Sequence, residues 1–335
     1  MQENSTKKII FSGIQPTGTF TLGNYIGAVS NWGKLQDEYR CIYSIVDMHA
    51  ITVRQEPAEL RKNTLAAYAL LLACGIDLTK TILFVQSHVK AHAELNWVLN
   101  CSAQFGELTR MTQFKEKSEK HPEDINAGLF TYPVLQAADI LAYNADLVPV
   151  GADQKQHLEL ARNIAQRFNH KYGDTFTLPE PYIPQTGAKI MSLQEPTQKM
   201  SKSDENPNAV ISILDEPDVI IRKFKRAVTD SEACVRFAEG KDGINNLLTI
   251  YSVVSGKSVS EAEKEFDGKG YGDFKLAVGE AVSDKLKSVR EDYARLIADK
   301  AYLTECCKKS ALTASAVSQR IIDKVYRKVG YLTVK

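Results

Sequence analysis

The chain has 335 residues, 44% of them hydrophobic and 25% charged, and its 42 basic and 41 acidic side chains leave a formal net charge of +1. That is enough chain for one large domain plus a smaller one, and the composition excludes a disordered or fibrous protein. Near-neutral charge selects neither a nucleic-acid nor a membrane partner, although an enzyme that meets RNA on one face can be neutral overall.

No apolar core precedes Ile9-Ile10-Phe11, so no secretory signal is expected. Ile9-Ile10-Phe11-Ser12-Gly13 predicts a short strand ending in glycine, followed by a helix over 24–38. Residues 41–47 read as a buried strand, 57–74 as a long helix with Pro57 in its first turn and Gly75 as its C-cap, and 81–86 as a third strand. The apolar run at 65–74 is far shorter than a membrane span. Helices are predicted over 91–105, 107–118 and 132–144, with Pro133 in the first turn of the last, then a strand over 146–150 and a helix over 153–170. Pro179, Pro181 and Pro184 mark a non-helical stretch. Beyond 208 only helices are expected, over 216–228, 243–255, 259–266, 272–308 and 313–329. Near-continuous apolar strands alternating with helices predict an α/β fold, a Rossmann-like doubly wound parallel sheet, with a second, smaller all-helical domain. The six cysteines have no CxxC spacing and read as free buried thiols of a reducing cytoplasm. The six histidines lack a ligand pattern, and no dedicated metal site is expected.

Three stretches carry chemistry. Gly13, Gly18 and Gly23 surround Ile14-Gln15-Pro16-Thr17 ahead of a helix. Glycine admits close backbone approach and a helix start offers N–H groups to an anion, but the spacing is neither GxGxxG nor GxxxxGK[ST]. Taken alone, the stretch is equally a nucleotide site or a turn-rich connector. Thr21 suits the cap of the helix, Asn24 offers its amide, and Gly23 leaves room for an adenine ring, all just beyond a first strand, where open parallel sheets bind ligands. Lys199-Met200-Ser201-Lys202-Ser203, between Pro196 and Pro207, predicts an exposed loop. Its plain reading is a solvated basic turn. Its chemical reading is two ammonium groups and a hydroxyl brought onto one polyphosphate, where charge grows at the α-phosphorus and on departing pyrophosphate. In the apolar helix that follows Tyr132, Gln136 and Asp139 complete an i, i+4, i+7 face. A buried carboxylate needs a partner, either an internal arginine or backbone group or the N–H or O–H of an aromatic ligand. Arg222, Lys223, Lys225 and Arg226 form a basic cluster that is either an RNA contact or a solvated face.

The five residues from Lys199 to Ser203 match the second signature loop of class I aminoacyl-tRNA synthetases, and Thr21-Leu22-Gly23-Asn24 resembles the first, with Thr21 and Asn24 where that class often has histidines. That variant, with Gly13-Ile14-Gln15-Pro16-Thr17-Gly18, Gly151-Ala152-Asp153-Gln154-Lys155-Gln156-His157 and Ala227-Val228-Thr229-Asp230-Ser231, resembles bacterial-type tryptophanyl-tRNA synthetases along essentially the whole chain. Gln136 stands where many members have methionine.

The resemblance implies activation of L-tryptophan by ATP to tryptophanyl-adenylate, with Mg²⁺ carried on ATP and pyrophosphate released, then transfer to the 3′ end of tRNA(Trp). It further implies a cytoplasmic homodimer, with residues 91–105 as possible contact surface. Lys199, Lys202, Lys117 and Gln15 form the implied catalytic group, Lys117 having a solvated helix face as its plainer reading. The implied ATP set is Gly13, Gln15, Thr21, Gly23, Asn24, Gly151, Asp153, Lys199, Met200, Ser201 and Lys202, with Asp153 equally an ordinary N-cap. The implied tryptophan set is Phe11, His49, Tyr132, Gln136, Asp139 and Gln154; Asp139 accepts the indole N–H, Gln15 and Gln154 orient the amine and carboxylate, and His49 is otherwise a loop support. Residues 1–208 are then the catalytic nucleotide-binding domain, 209–300 the helical domain that reads the anticodon end of tRNA through Arg222, Lys223, Lys225 and Arg226, and 301–335 a C-terminal helix packing back on the catalytic domain. Competing readings are a tyrosyl-tRNA synthetase, a small-molecule nucleotidylyltransferase and a noncatalytic synthetase-derived RNA-binding protein.

Overall fold

A computed structural model describes residues 7–16, 18–114, 125–151, 154–183, 189–202 and 204–332. Five strands, β1 (Ile9–Ile14), β2 (Arg40–Ile45), β3 (Ile82–Val85), β4 (Leu147–Pro149) and β5 (Glu180–Tyr182), form one parallel sheet in the order β3-β2-β1-β4-β5. The strands alternate side chains between two buried faces, as period two requires. Ile10, Cys41, Tyr43, Ile45, Leu83 and Val85 enter one core, while Phe11, Ile42, Phe84 and Val148 enter the other.

A helical run joins β1 to β2: α1 (Leu22–Asn24), a π-helical turn (Tyr25–Val29) and α2 (Ser30–Glu38). With α4 (Pro57–Ala73) it covers the first face. A short α3 (Asp47–Ala50) follows β2. On the second face lie α5 (Ala91–Asn100), α7 (Ala127–Leu141) and α8 (Lys155–Tyr172), with the single turn α6 (Phe105–Leu108) alongside. The later helices are α9 (Pro217–Lys225), α10 (Asp242–Ser255), α11 (Val259–Glu265), α12 (Tyr271–Ala298) and α13 (Lys300–Val329). Ile220, Phe224, Leu247, Phe274 and Val278 extend the first core without interruption into α9–α12. Glycine is needed where α12 crosses α9, because a Cβ on Gly279 would sit 3.0 Å from the Ile221 Cα. The long α13 runs beside β3, with Leu303 and Cys307 in the first core and Ala314, Ile322 and Val325 in the second, so it covers that sheet edge.

Five expectations need correction. The helix expected over 107–118 is interrupted after Leu108 and resumes at 112–114, while 115–118 lie outside the described residues: Arg110 and Met111 close tighter turns onto the Glu107 and Leu108 carbonyls, which directs Met111 into the core. The helix expected from 132 begins at Ala127, because the Asn126 side chain caps it by accepting from the Leu129 N–H; Pro133 therefore lies inside the helix rather than in its first turn. The proline-marked stretch contains β5, an edge strand, where a residue without an N–H is tolerated. The break expected near 308–313 falls at Asp299, whose carboxylate accepts from the Tyr302 N–H and starts α13. All six cysteines are free, but Cys101 and Cys234 are exposed rather than buried. Among the described residues no helix is long and apolar enough to cross a membrane.

Candidate active site

β1 and β4 are neighbours in the sheet although they are far apart in sequence, so the chain direction of the connections reverses between them. Open parallel sheets bind ligands at the carboxyl ends of strands at such a point. A cavity of about 350 Å³ opens there, walled by Phe11, Gly13 and Gln15 from β1 and its loop, Val148 to Val150 from β4, His49 from α3, Gln154 before α8, and Tyr132, Gln136 and Asp139 from α7. The i, i+4, i+7 face predicted for α7 is thus the face turned to the cavity.

Asp139 is only 2% exposed, and three donors converge on it. His49 Nε2 lies 2.8 Å from Oδ2; His92 Nδ1 and Gln86 Nε2 lie 2.6 and 2.7 Å from Oδ1. An ionised carboxylate only accepts, so both facing imidazole nitrogens carry protons. The other nitrogen of His92, Nε2, lies 2.9 Å from the Tyr143 hydroxyl. Burial by itself would raise the Asp139 pKa, but the bonds and charges from His49 and His92 outweigh it and hold it at about 2. His49 lines the cavity, whereas Gln86 and His92 lie behind it, so Oδ2 is the cavity-side oxygen. Two carboxylate oxygens offer about four acceptor positions, and three are used. The partners are two histidines and a glutamine rather than an internal arginine.

The rest of that face is also polar. The Tyr132 hydroxyl lies 2.8 Å from His157 Nε2, and Gln136 donates to Gln154 Oε1 at 3.3 Å. The cavity therefore combines aromatic and aliphatic walls with a fixed anionic acceptor and the amides of Gln136 and Gln154.

The remaining site residues cluster around the other end of the β1–α1 loop. Thr21 and Asn24 form a capping box: the Asn24 N–H donates to Thr21 Oγ1 at 3.1 Å and the Thr21 N–H to Asn24 Oδ1 at 3.1 Å. The Asn24 carbonyl oxygen is thereby committed to the cap. Gly23 faces Ile190 and Met200, where an added Cβ would make ordinary contact at 3.6 Å. Residues 190–200 form a hairpin in which Met191 pairs with Lys199, the Met200 N–H donates to the Ile190 carbonyl and the Ser192 N–H to the Gln198 carbonyl. Met200 packs its side chain into the core, Lys199 and Ser201 are exposed, and Lys202 reaches back to the glycine loop. Gly18 has φ +86°, which favours glycine, and a Cβ there would lie 2.5 Å from the Lys202 ammonium and displace the end of that side chain. Loss of hydration in that position pushes the Lys202 pKa down.

Gly151 is exposed just past β4. Lys117 and Asp153 lie outside the described residues. In the basic cluster, Arg222, Lys225 and Arg226 are exposed, but the Lys223 ammonium is bound to Asp215 at 2.7 Å and to the Val210 carbonyl at 2.8 Å. Sequence reasoning missed Gln86, His92 and His157, and also Gln113, which lines the cavity and accepts from the Tyr132 hydroxyl at 3.3 Å. The available signal was a polar residue ending an apolar strand, for Gln86, and a histidine inside an apolar helix, for His92.

The pattern of the family tRNA synthetases class I (W and Y) matches residues 3–287. The tryptophan–tRNA ligase of Clostridium tetani is 55% identical over 335 residues, spanning 100% of this chain and 98% of that protein. The crystal structure of tryptophanyl-tRNA synthetase from Mycoplasma pneumoniae superposes with a TM-score of 0.87 at 35% identity, covering 97% of this chain and 98% of the other. That of the Campylobacter jejuni tryptophanyl-tRNA synthetase complexed with ADP and tryptophan gives 0.84 at 34% identity, covering 96% and 99%. With the parallel sheet, the cavity at its switch point and the two signature segments in place, the chain belongs to the class I tRNA synthetases of the tryptophan and tyrosine group.

Proposed function

We infer that the chain is a tryptophan–tRNA ligase that activates L-tryptophan with ATP and transfers it to the 3′ end of tRNA(Trp). The observation that carries the reading is the cavity between β1 and β4, sized for an aromatic amino acid and fitted with an ionised acceptor, Asp139, together with Gln136 and Gln154. The fully spanning relatives named for tryptophan support that amino acid over tyrosine.

In this reading the indole N–H donates to the remaining acceptor position of Asp139, against Phe11, His49 and Tyr132, while Gln15 and Gln154 orient the amine and carboxylate. The carboxylate attacks the ATP α-phosphorus in line with departing pyrophosphate, and positioning carries most of the rate. Gly13, Thr21, Gly23, Asn24, Gly151, Asp153, Met200 and Ser201 frame ATP. Lys199, Lys202 and Lys117 stabilise charge that grows on the phosphates during attack, so they act more on the transition state than on binding. Mg²⁺ enters as part of the ATP substrate and retains waters. The tRNA terminal hydroxyl then attacks the activated carbonyl and AMP leaves. We assign catalysis to residues 1–208 and anticodon contact to 209–300 through Arg222, Lys225 and Arg226, with 301–335 packing on the catalytic part; Lys223 serves the fold instead. The active form in the cytoplasm is a homodimer.

ATP–pyrophosphate exchange with each amino acid in turn, followed by charging of matched tRNAs, tests the reading. Tryptophan-only exchange with charging of tRNA(Trp) is expected. Tyrosine-only exchange, nucleotide transfer without charging, or RNA binding without exchange would each replace it with one of the competing readings.

A further inference from the structure

The hairpin that carries Lys199 is fastened to the helical part of the chain, and one side chain makes the central attachment. Asn246 on α10 is 4% exposed and bonds both polar backbone groups of Met191: its Oδ1 accepts from the Met191 N–H at 2.9 Å and its Nδ2 donates to the Met191 carbonyl at 3.0 Å. Met191 is the residue paired with Lys199 across the hairpin. Two further bonds fasten the hairpin beyond Met191. The Val228 N–H donates to the Leu193 carbonyl at 2.8 Å, and Gln194 Nε2 donates to the Arg226 carbonyl at 2.8 Å. Residues 226–228 are held in turn against the start of α10, where a Cβ on Gly243 would overlap the Val228 carbonyl oxygen. No side-chain bond of Asn246 is spent within its own helix.

We propose that Asn246 is a positioning residue for adenylation: by clamping the Met191 peptide groups it fixes the strand opposite Lys199, and so sets where Lys199 meets the phosphates. The inference rests on the adenylation reading above. A buried amide used for stability alone would be satisfied by any backbone pair. This one engages the single residue whose cross-strand partner is a signature lysine, and it reaches that residue from a helix outside the sheet. Removing the clamp frees the hairpin to shift relative to the cavity without altering any group that touches tryptophan. Misplacement of a catalytic group by about an ångström can cost roughly 100-fold in rate, and partial loosening is expected to cost about 10-fold.

The test is a double-mutant cycle in the full chain. Asn246→Leu keeps the side-chain branching and removes both bonds; Asn246→Asp keeps the shape and the acceptor for the Met191 N–H but removes the donor, and serves if the leucine variant fails to fold. Each is made alone and with Lys199→Ala, and tryptophan-dependent pyrophosphate exchange, equilibrium binding of labelled tryptophan and melting temperature are measured. The expected result is an approximately 10-fold fall in kcat with unchanged tryptophan affinity in the Lys199 background, and a fall of less than about 2-fold once Lys199 is alanine. Equal losses in both backgrounds, a loss matched by weaker tryptophan binding, or no loss would overturn the inference while leaving the functional reading intact. Absence of exchange by the unaltered chain would overturn both.

Discussion

Changing Asp139 to asparagine tests the cavity's chemistry with one atom. Gln86 Nε2 and His92 Nδ1 both donate to Oδ1, so the carbonyl of the new amide must stay on that side. Its NH₂ is then forced to the Oδ2 side, toward His49 and the cavity. His49 meets it by accepting through the other tautomer, and the fold is retained, but the cavity now offers a donor where the indole N–H needs an acceptor. A hydrogen bond to a charged group is worth about 1.5–3 kcal/mol, which at about 1.4 kcal/mol per tenfold corresponds to roughly a 10- to 150-fold weaker tryptophan affinity. Binding of labelled tryptophan and the tryptophan KM in pyrophosphate exchange should both move by that amount, with ATP affinity unchanged. Tryptophan affinity within 2-fold of the unaltered chain, in a variant whose melting temperature shows it folded, would remove Asp139 from indole recognition.

The same carboxyl predicts an acid-stability window. Its folded pKa of about 2 lies below the ordinary 3.8, so its contribution is complete above about pH 4 and is lost as pH falls through 2; the shift is worth about 2 kcal/mol at roughly 1.36 kcal/mol per unit. The stability difference between the unaltered chain and Asp139→Asn, from urea unfolding, should be constant from pH 6 to 4 and shrink below it; a pH-independent difference contradicts the assignment. Gly18→Ala places a methyl group against the Lys202 ammonium at a left-handed backbone position, so the exchange rate should fall several-fold while tryptophan affinity holds; equal loss in both would place Lys202 elsewhere. Gly243→Ala forces α10 off the Val228 carbonyl and should cost about 1–3 kcal/mol, read as a melting point lower by several degrees; an unchanged melt would refute the close approach. Replacing Arg222, Lys225 and Arg226 together by alanine should raise the KM for tRNA and flatten its salt dependence, with pyrophosphate exchange unaffected; unchanged charging kinetics would move the RNA contact to another surface.

Much of the sheet was legible because β1, β2 and β3 are apolar on both faces, which leaves a nearly unbroken apolar run in the sequence. β5 was not, since Pro181 reads as a breaker until the strand is known to lie at an edge. The start of α7 was misplaced for a related reason: the strong local signal of Pro133 concealed the Asn126 cap seven positions earlier in the same stretch. Helical spacing did find the cavity face of Tyr132, Gln136 and Asp139. It did not find what holds Asp139, because His49, Gln86 and His92 come from three other segments, each with an unremarkable local pattern, and meet only through the fold. The contact of Lys202 with Gly18 was hidden in the same way, as was the fastening of Met191 by Asn246. The commitment of Lys223 to Asp215 was within reach of neither composition nor periodicity.

The central claim is that the cavity between β1 and β4 selects tryptophan for activation. Single-turnover formation of aminoacyl-adenylate, with enzyme in excess over labelled amino acid and pyrophosphate release followed in the same reaction, tests it most directly. The account predicts one pyrophosphate per tryptophanyl-adenylate with tryptophan and no comparable product with tyrosine. Adenylate formed equally from tyrosine, or none from tryptophan, would contradict it.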